Sequence, residues 1–114
     1  MQHLLSASSL IGTRVENPQG DNLGSIKEIM FDIPHGRIAY AVLDFGGFLG
    51  INNKLFAMPW AGFELNTARE VIVLDVPKEQ LENAEGFDQD DWPDMSNPEF
   101  AARIYAYYGV ERYW

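Results

Sequence analysis

GRIAYAVLDFGGFLGINNKLFAMPW, residues 36–60, decides how this chain folds. Arg37 to Phe45 is a dense apolar strand. Ile38, Tyr40, Val42 and Asp44 lie on one parity, and Ala39, Ala41, Leu43 and Phe45 on the other. A strand apolar on both parities is covered on both faces. One face is expected to point into a barrel, the other to lie under a helix, a tail or a neighbouring subunit. The run continues into Gly46-Gly47-Phe48-Leu49-Gly50, a tight reversal with an apolar tip. Leu55 to Met58 is a short further strand. Pro59 ends it, because proline has no N–H to give to a ladder.

Outward from this stretch the chain is mostly β. Ser6 to Gly12 reads as a short capped helical turn stopped by glycine. Thr13 to Glu16 is a first strand, and Asn17-Pro18-Gln19-Gly20-Asp21 a turn. Leu23 to Phe31 alternates imperfectly, which predicts a strand with a bulge or bend near Gly24. Phe63 to Leu65 and Val71 to Val76 complete the sheet. Pro77 opens a helical turn. Glu85 to Asn97 is acidic and aperiodic, and reads as a loop. Ser96 or Asn97 then caps a helix with Pro98 at its first position, and Phe100, Ile104, Tyr107 and Tyr108 give it one apolar face. Gly109 ends it. The fold expected is mainly β, with residues 1–84 as the barrel domain and residues 85–114 as acidic loop, short C-terminal helix and aromatic tail.

Composition narrows the function. At 114 residues the chain is one domain of ordinary size, and 46% apolar residues suffice for a core. With no cysteine it has no disulfide framework, thiolate zinc site or cysteine nucleophile, which fits the reducing cytoplasm. The start, MQHLLSASSLIG, lacks Lys and Arg and does not read as a signal peptide. No run approaches the roughly 20 apolar residues of a membrane helix. Net charge is −9, from 17 acidic and 8 basic residues. Such a chain repels phosphate backbones and anionic lipid, so neither direct nucleic-acid binding nor membrane insertion is expected. Seven of the carboxylates lie between Glu79 and Asp94, a solvated acidic stretch.

Chemistry-bearing patterns are sparse. His3 stands near the start and His35 in a Pro-His-Gly turn, and no glycine-framed serine accompanies either. GGFLG has no following Lys and opens no helix, so it is not a phosphate loop. Asp88, Asp90, Asp94, Ser96 and Glu99 approach calcium-loop spacing. Trp92 and Pro93, however, occupy positions that need an oxygen ligand and a glycine. An irregular divalent-cation site on Asp88, Asp90, Asp91 and Asp94 is the residual metal reading. No catalytic residue and no cofactor is expected.

The ordered set of motifs resembles the PRC-barrel family. It comprises Leu10-Ile11-Gly12, the Pro18-Gln19-Gly20 turn, Leu23-Gly24-Ser25-Ile26, Gly36 to Val42, Gly46 to Gly50 and Pro59-Trp60. The resemblance covers about Ser6 to Leu81 and implies a small, strongly bent antiparallel barrel of about six strands. Such domains are known in the cytoplasmic part of the photosynthetic reaction-centre H subunit and in a ribosome maturation factor, where they look like docking modules. The 114 residues show neither the membrane helix of the first nor the extra N-terminal domain of the second, so neither function is expected to carry over. Its C-terminal third, with Trp92-Pro93-Asp94-Met95 and Tyr107-Tyr108-Gly109-Val110, looks similar to the tail of short bacterial members.

The role expected is a non-enzymatic interaction or assembly module, a homo-oligomer with a dimer as first guess. Its partner-binding residues would be Phe45, Phe48, Leu49, Trp60, Tyr105, Tyr113 and Trp114. Tyr105 is expected to project away from the Phe100–Ile104–Tyr108 face. The aromatic tail either packs across a dimer or clamps its own barrel. Trp60 also reads as a core plug, and Phe48 and Leu49 as tips folded onto the core. Ribosome or RNA-processing assembly through a protein partner is a second role, and a small-ligand or metal-binding domain a third.

Overall fold

The computed structural model describes residues 4–45 and 54–114. Six strands form one sheet: β1 (Arg14–Glu16), β2 (Asn22–Asp32), β3 (Arg37–Phe45), β4 (Lys54–Met58), β5 (Phe63–Asn66) and β6 (Val71–Leu74). Their spatial order is β4-β3-β2-β1-β6-β5. Three helices accompany them: α1 (Ala7–Leu10), α2 (Lys78–Glu82) and α3 (Pro98–Tyr107). None of these is long and apolar enough to cross a membrane.

The barrel is a curled half-barrel, and one ladder departs from the antiparallel expectation. β1 and β6 pair in parallel, with Val15 opposite Ile72. The remaining ladders are antiparallel. Chain direction explains the exception. Successive strands reverse at each connection except between β4 and β5. There Pro59 and a 3₁₀ turn, Trp60–Gly62, carry the chain across the mouth of the sheet without reversing it. One missing reversal leaves β6 running with β1. It also leaves β4 and β5 at the two ends of the sheet rather than joined to each other.

Two apolar layers form on the two faces. The inner layer gathers Val15, Leu23, Ile26, Ile29, Ala41, Leu43, Phe56, Met58, Ile72, Leu74, Val76 and Leu81. It takes side chains from strands at both ends of the sheet, so the sheet wraps around it. The outer layer sets Tyr40, Val42, Leu55 and Ala57 against Met95, Phe100, Ala101, Ile104 and Tyr105. β3 therefore contributes to both layers, as its two-sided apolarity requires.

Bulges explain the imperfect alternation. Leu23 and Lys27 in β2 and Ala39 in β3 are each an extra residue against the opposing strand. Such insertions bend a strand and strengthen its twist. They convert the buried positions of β2 to Leu23, Ile26 and Ile29, a spacing of three that no flat strand shows. In β3 the extra Ala39 joins Tyr40 on the outer layer and swings Ile38 onto the inner one. Gly24 is the tightest point. Its φ is +107°, and a Cβ there would lie on the carbonyl oxygen of Asp44 and 2.9 Å from its carbon. Only glycine lets β2 and β3 approach this closely.

The acidic segment is ordered by single contacts rather than by a period. Phe87 forms an isolated bridge with Leu55, exchanging two 2.9 Å backbone hydrogen bonds that cover the outer edge of β4. Trp92 stands 5.0 Å from the Phe87 ring, and its Nε1 donates to the Gln89 carbonyl. Asn97 then caps α3, its side chain accepting from the Glu99 N–H at 2.8 Å. Across the strap, Arg103 donates twice to the Glu85 carboxylate at 3.0 Å. That pairing, with burial opposing it, holds Glu85 below the usual carboxylate range.

Candidate functional site

Helix α3 ends at Gly109, whose positive φ turns the chain back. Val110 N–H bonds to the Tyr105 carbonyl at 3.0 Å, and the tail then runs over the outer layer. Tyr105 hydroxyl donates to the Ala39 carbonyl at 2.5 Å. Tyr113 hydroxyl donates to the neighbouring Ile38 carbonyl at 2.5 Å. Both acceptors flank the β3 bulge. Trp114 Nε1 donates to Tyr105 hydroxyl at 2.8 Å, and its ring stands 5.2 Å from that of Tyr40. Tyr40 hydroxyl donates to the Met95 carbonyl. Arg37 lies over the Tyr113 ring and Arg112 over Trp114.

The tail is thus a clamp on its own barrel, one of the two arrangements the sequence left open. Tyr105 corrects a sequence expectation. It is 1% exposed and faces the barrel instead of a partner. A helix considered alone places Tyr105 off the apolar face, and the returning tail covers that flank. Burial pushes the Tyr40 phenol up to about 12, with Arg112 pulling the other way. Burial, aided by Tyr113, raises Tyr105 as well.

Trp60 is half-buried, stacked on Phe63 at 5.3 Å and packed against the inner layer. Phe45 is half-buried against Phe56 at 6.1 Å. Both act as plugs at the rim of the inner core. Phe48 and Leu49 lie outside the described residues. Asp88, Asp90, Asp91 and Asp94 are not gathered. Asp94 Oδ1 accepts from the Ser96 N–H at 3.1 Å and hydroxyl at 2.6 Å, a local turn. Asp88 and Asp91 close another turn. Among the described residues no three acidic or histidine groups converge to hold a cation.

His35 Nδ1 is 2.9 Å from Asp32 Oδ2, which also accepts from Arg37 Nε at 3.0 Å. Burial pulls the Asp32 carboxyl upward, but the two paired groups outweigh it and hold it below its ordinary value. Glu16, nearly buried, is held by Arg14 at 2.9 Å and Arg69 at 3.0 Å. These ion pairs fasten turns and strand ends.

Sequence reasoning missed a groove between α1 and the β5–β6 turn. Leu5, Leu10, Ile11, Arg14, Leu65 and Glu70 line it. Leu5, Ile11 and Leu65 are exposed. The alternation Phe63-Glu64-Leu65-Asn66 assigns Leu65 to the core face, but among the described residues no strand covers the end of the sheet. At the β2–β3 tip, Phe31 and Ile33 also face solvent, Ile33 at 79%.

Comparison with known proteins agrees with this geometry. The family model for the PRC-barrel domain matches residues 3–81. No curated protein matches the chain. Six bent strands around an aliphatic core, with the match over well more than half the sequence, place this chain in the PRC-barrel family.

Proposed function

We propose that this chain is a non-enzymatic docking module that recognises a protein partner by burying apolar surface. The observation that carries the reading is a division of labour among its side chains. Ion pairs and the hydroxyls of Tyr40, Tyr105, Tyr107 and Tyr113 are engaged in holding the fold. Large apolar side chains at the β2–β3 tip and the α1–β5 groove stand in solvent. Burying such area contributes roughly 25 cal/mol per Å². The surrounding negative charge limits non-specific association.

The proposed working surface differs from the one expected from sequence. The outer face of β3 is occupied by α3 and the tail, and among the described residues the tip and groove expose large apolar side chains. The test is a crosslinked capture from native lysate, with mass spectrometry, comparing the chain with a Phe31→Ser/Ile33→Ser variant and a Leu65→Lys variant. A partner enriched by the parent and lost with one variant supports docking. Equal capture by all three removes these surfaces. Ribosomal proteins among the variant-sensitive partners would assign the module to ribosome assembly through protein contact. Turnover of a substrate by the purified chain would overturn the non-enzymatic reading.

A further inference from the structure

The two ends of the sheet are treated differently. β4 is bridged on its outer edge at Leu55 by Phe87. β5 pairs only with β6, and among the described residues no backbone ladder lies on its other side. An antiparallel ladder leaves alternate N–H and C=O groups of an end strand facing outward, ready to pair with another strand. Edges are ordinarily guarded by charge, Pro, a bulge or short length. β5 is short and carries Glu64, but it has no Lys, Pro or bulge, and its Leu65 is 43% exposed.

We propose that β5 pairs with β5 of a second copy of this chain across a two-fold axis centred on Leu65. This rests on the docking-module reading and names the occupant of one of its surfaces. Register selects the centre. A symmetric antiparallel pair must be centred on a residue. Centring on Glu64 sets two carboxylates directly opposite, which is destabilising. Centring on Leu65 sets leucine against leucine and Glu64 beside Asn66. Charge selects the occupant. The adjoining groove is lined by one base, Arg14, and one acid, Glu70, and is neutral on a chain of net charge −9. Two acidic copies meet there with the least repulsion. Leu5 and Ile11, flanking Leu65, seal the pairing against water.

Sedimentation equilibrium of the full chain tests this, with Leu65→Lys, Leu65→Glu and their equimolar mixture. The parent is expected to be a dimer. Each single variant sets like charges opposite each other and is expected to dissociate roughly tenfold or more readily. The mixture opposes Lys to Glu and is expected to regain association. Position 65 is exposed, so circular dichroism should match the parent, and the melting point should fall only by what association contributes at the concentration used. A parent monomeric at every concentration overturns the proposal, as does a dimer indifferent to both variants or a mixture that does not recover. Loss of the dimer leaves the lysate capture at the β2–β3 tip standing, so the two readings fail separately.

Discussion

The two layers flanking β3 are built on different principles. The inner one is almost wholly aliphatic, and its members are held by shape and volume. The outer one is aromatic, and its hydroxyls and indole nitrogen find fixed partners on the backbone around the Ala39 bulge. A strand bent by an inserted residue offers carbonyls that its neighbour does not take. The tail supplies donors for them. The inner layer therefore fixes how far the sheet curls, and the outer layer fixes what lies against it.

The severest break is expected at Gly24, where the inner curl is closest. Gly24→Ala places a methyl on the Asp44 carbonyl and keeps a positive φ that L side chains rarely adopt. A cost of about 4 kcal/mol or outright loss of folding is expected, read by urea denaturation. Gly36→Ala is the comparison. It also has positive φ, but nothing lies within 4 Å, so it carries the backbone term alone, about 1 kcal/mol. Equal losses at the two glycines would show that the close approach of β2 and β3 is not what demands glycine.

Next in size are paired truncations in the two layers. Leu43→Ala leaves a cavity in the inner layer and is expected to cost about 2–5 kcal/mol. Tyr105→Phe keeps the ring but leaves the Ala39 carbonyl and Trp114 Nε1 without their partner, an expected loss of about 1–3 kcal/mol. The two also differ in kind. Tyr105→Phe should loosen the tail, seen as faster amide exchange after Gly109 with the inner strands unchanged. Leu43→Ala should raise exchange throughout the sheet.

How much of this was legible follows from the same contrast. Periodicity reports burial against a regular element, so the two-sided cover of β3 and the apolar face of α3 were readable. Gly24 was readable as a bend, because the alternation of β2 fails around it. The parity of Ala39 was not, since a bulge is set by the partner strand. Tyr105 was misplaced because its cover comes from a tail that turns back five residues later at Val110, beyond the reach of a helical projection. Residues 85–97 were readable as an ordered or partly ordered loop, but what holds them was not, because it is Phe87 and Trp92, two contacts without a period. Leu65 has the pattern of a core residue but sits on the end strand, and strand order is not written in alternation.

The smallest effect expected separates the layers by pH. The fully buried members of the inner layer carry no titrating group, whereas those of the outer one include Tyr40, whose phenol burial pushes from 10.0 up to about 12. The unfolded phenol loses its proton near pH 10 and the folded one later, so above that point the unfolded chain binds fewer protons. Stability is therefore fully present below pH 10 and is lost as pH rises toward 12. Tyr40 alone is expected to contribute a loss on the order of 1 kcal/mol by about pH 11. Urea denaturation of the parent and of Tyr40→Phe across this range isolates that part, because every other titrating group is common to both. The difference between them should narrow as pH rises, since the parent loses what the variant never had. A constant difference would mean that the Tyr40 phenol ionises as readily in the fold as in the open chain, and that water reaches the outer layer in a way the aliphatic inner core does not permit.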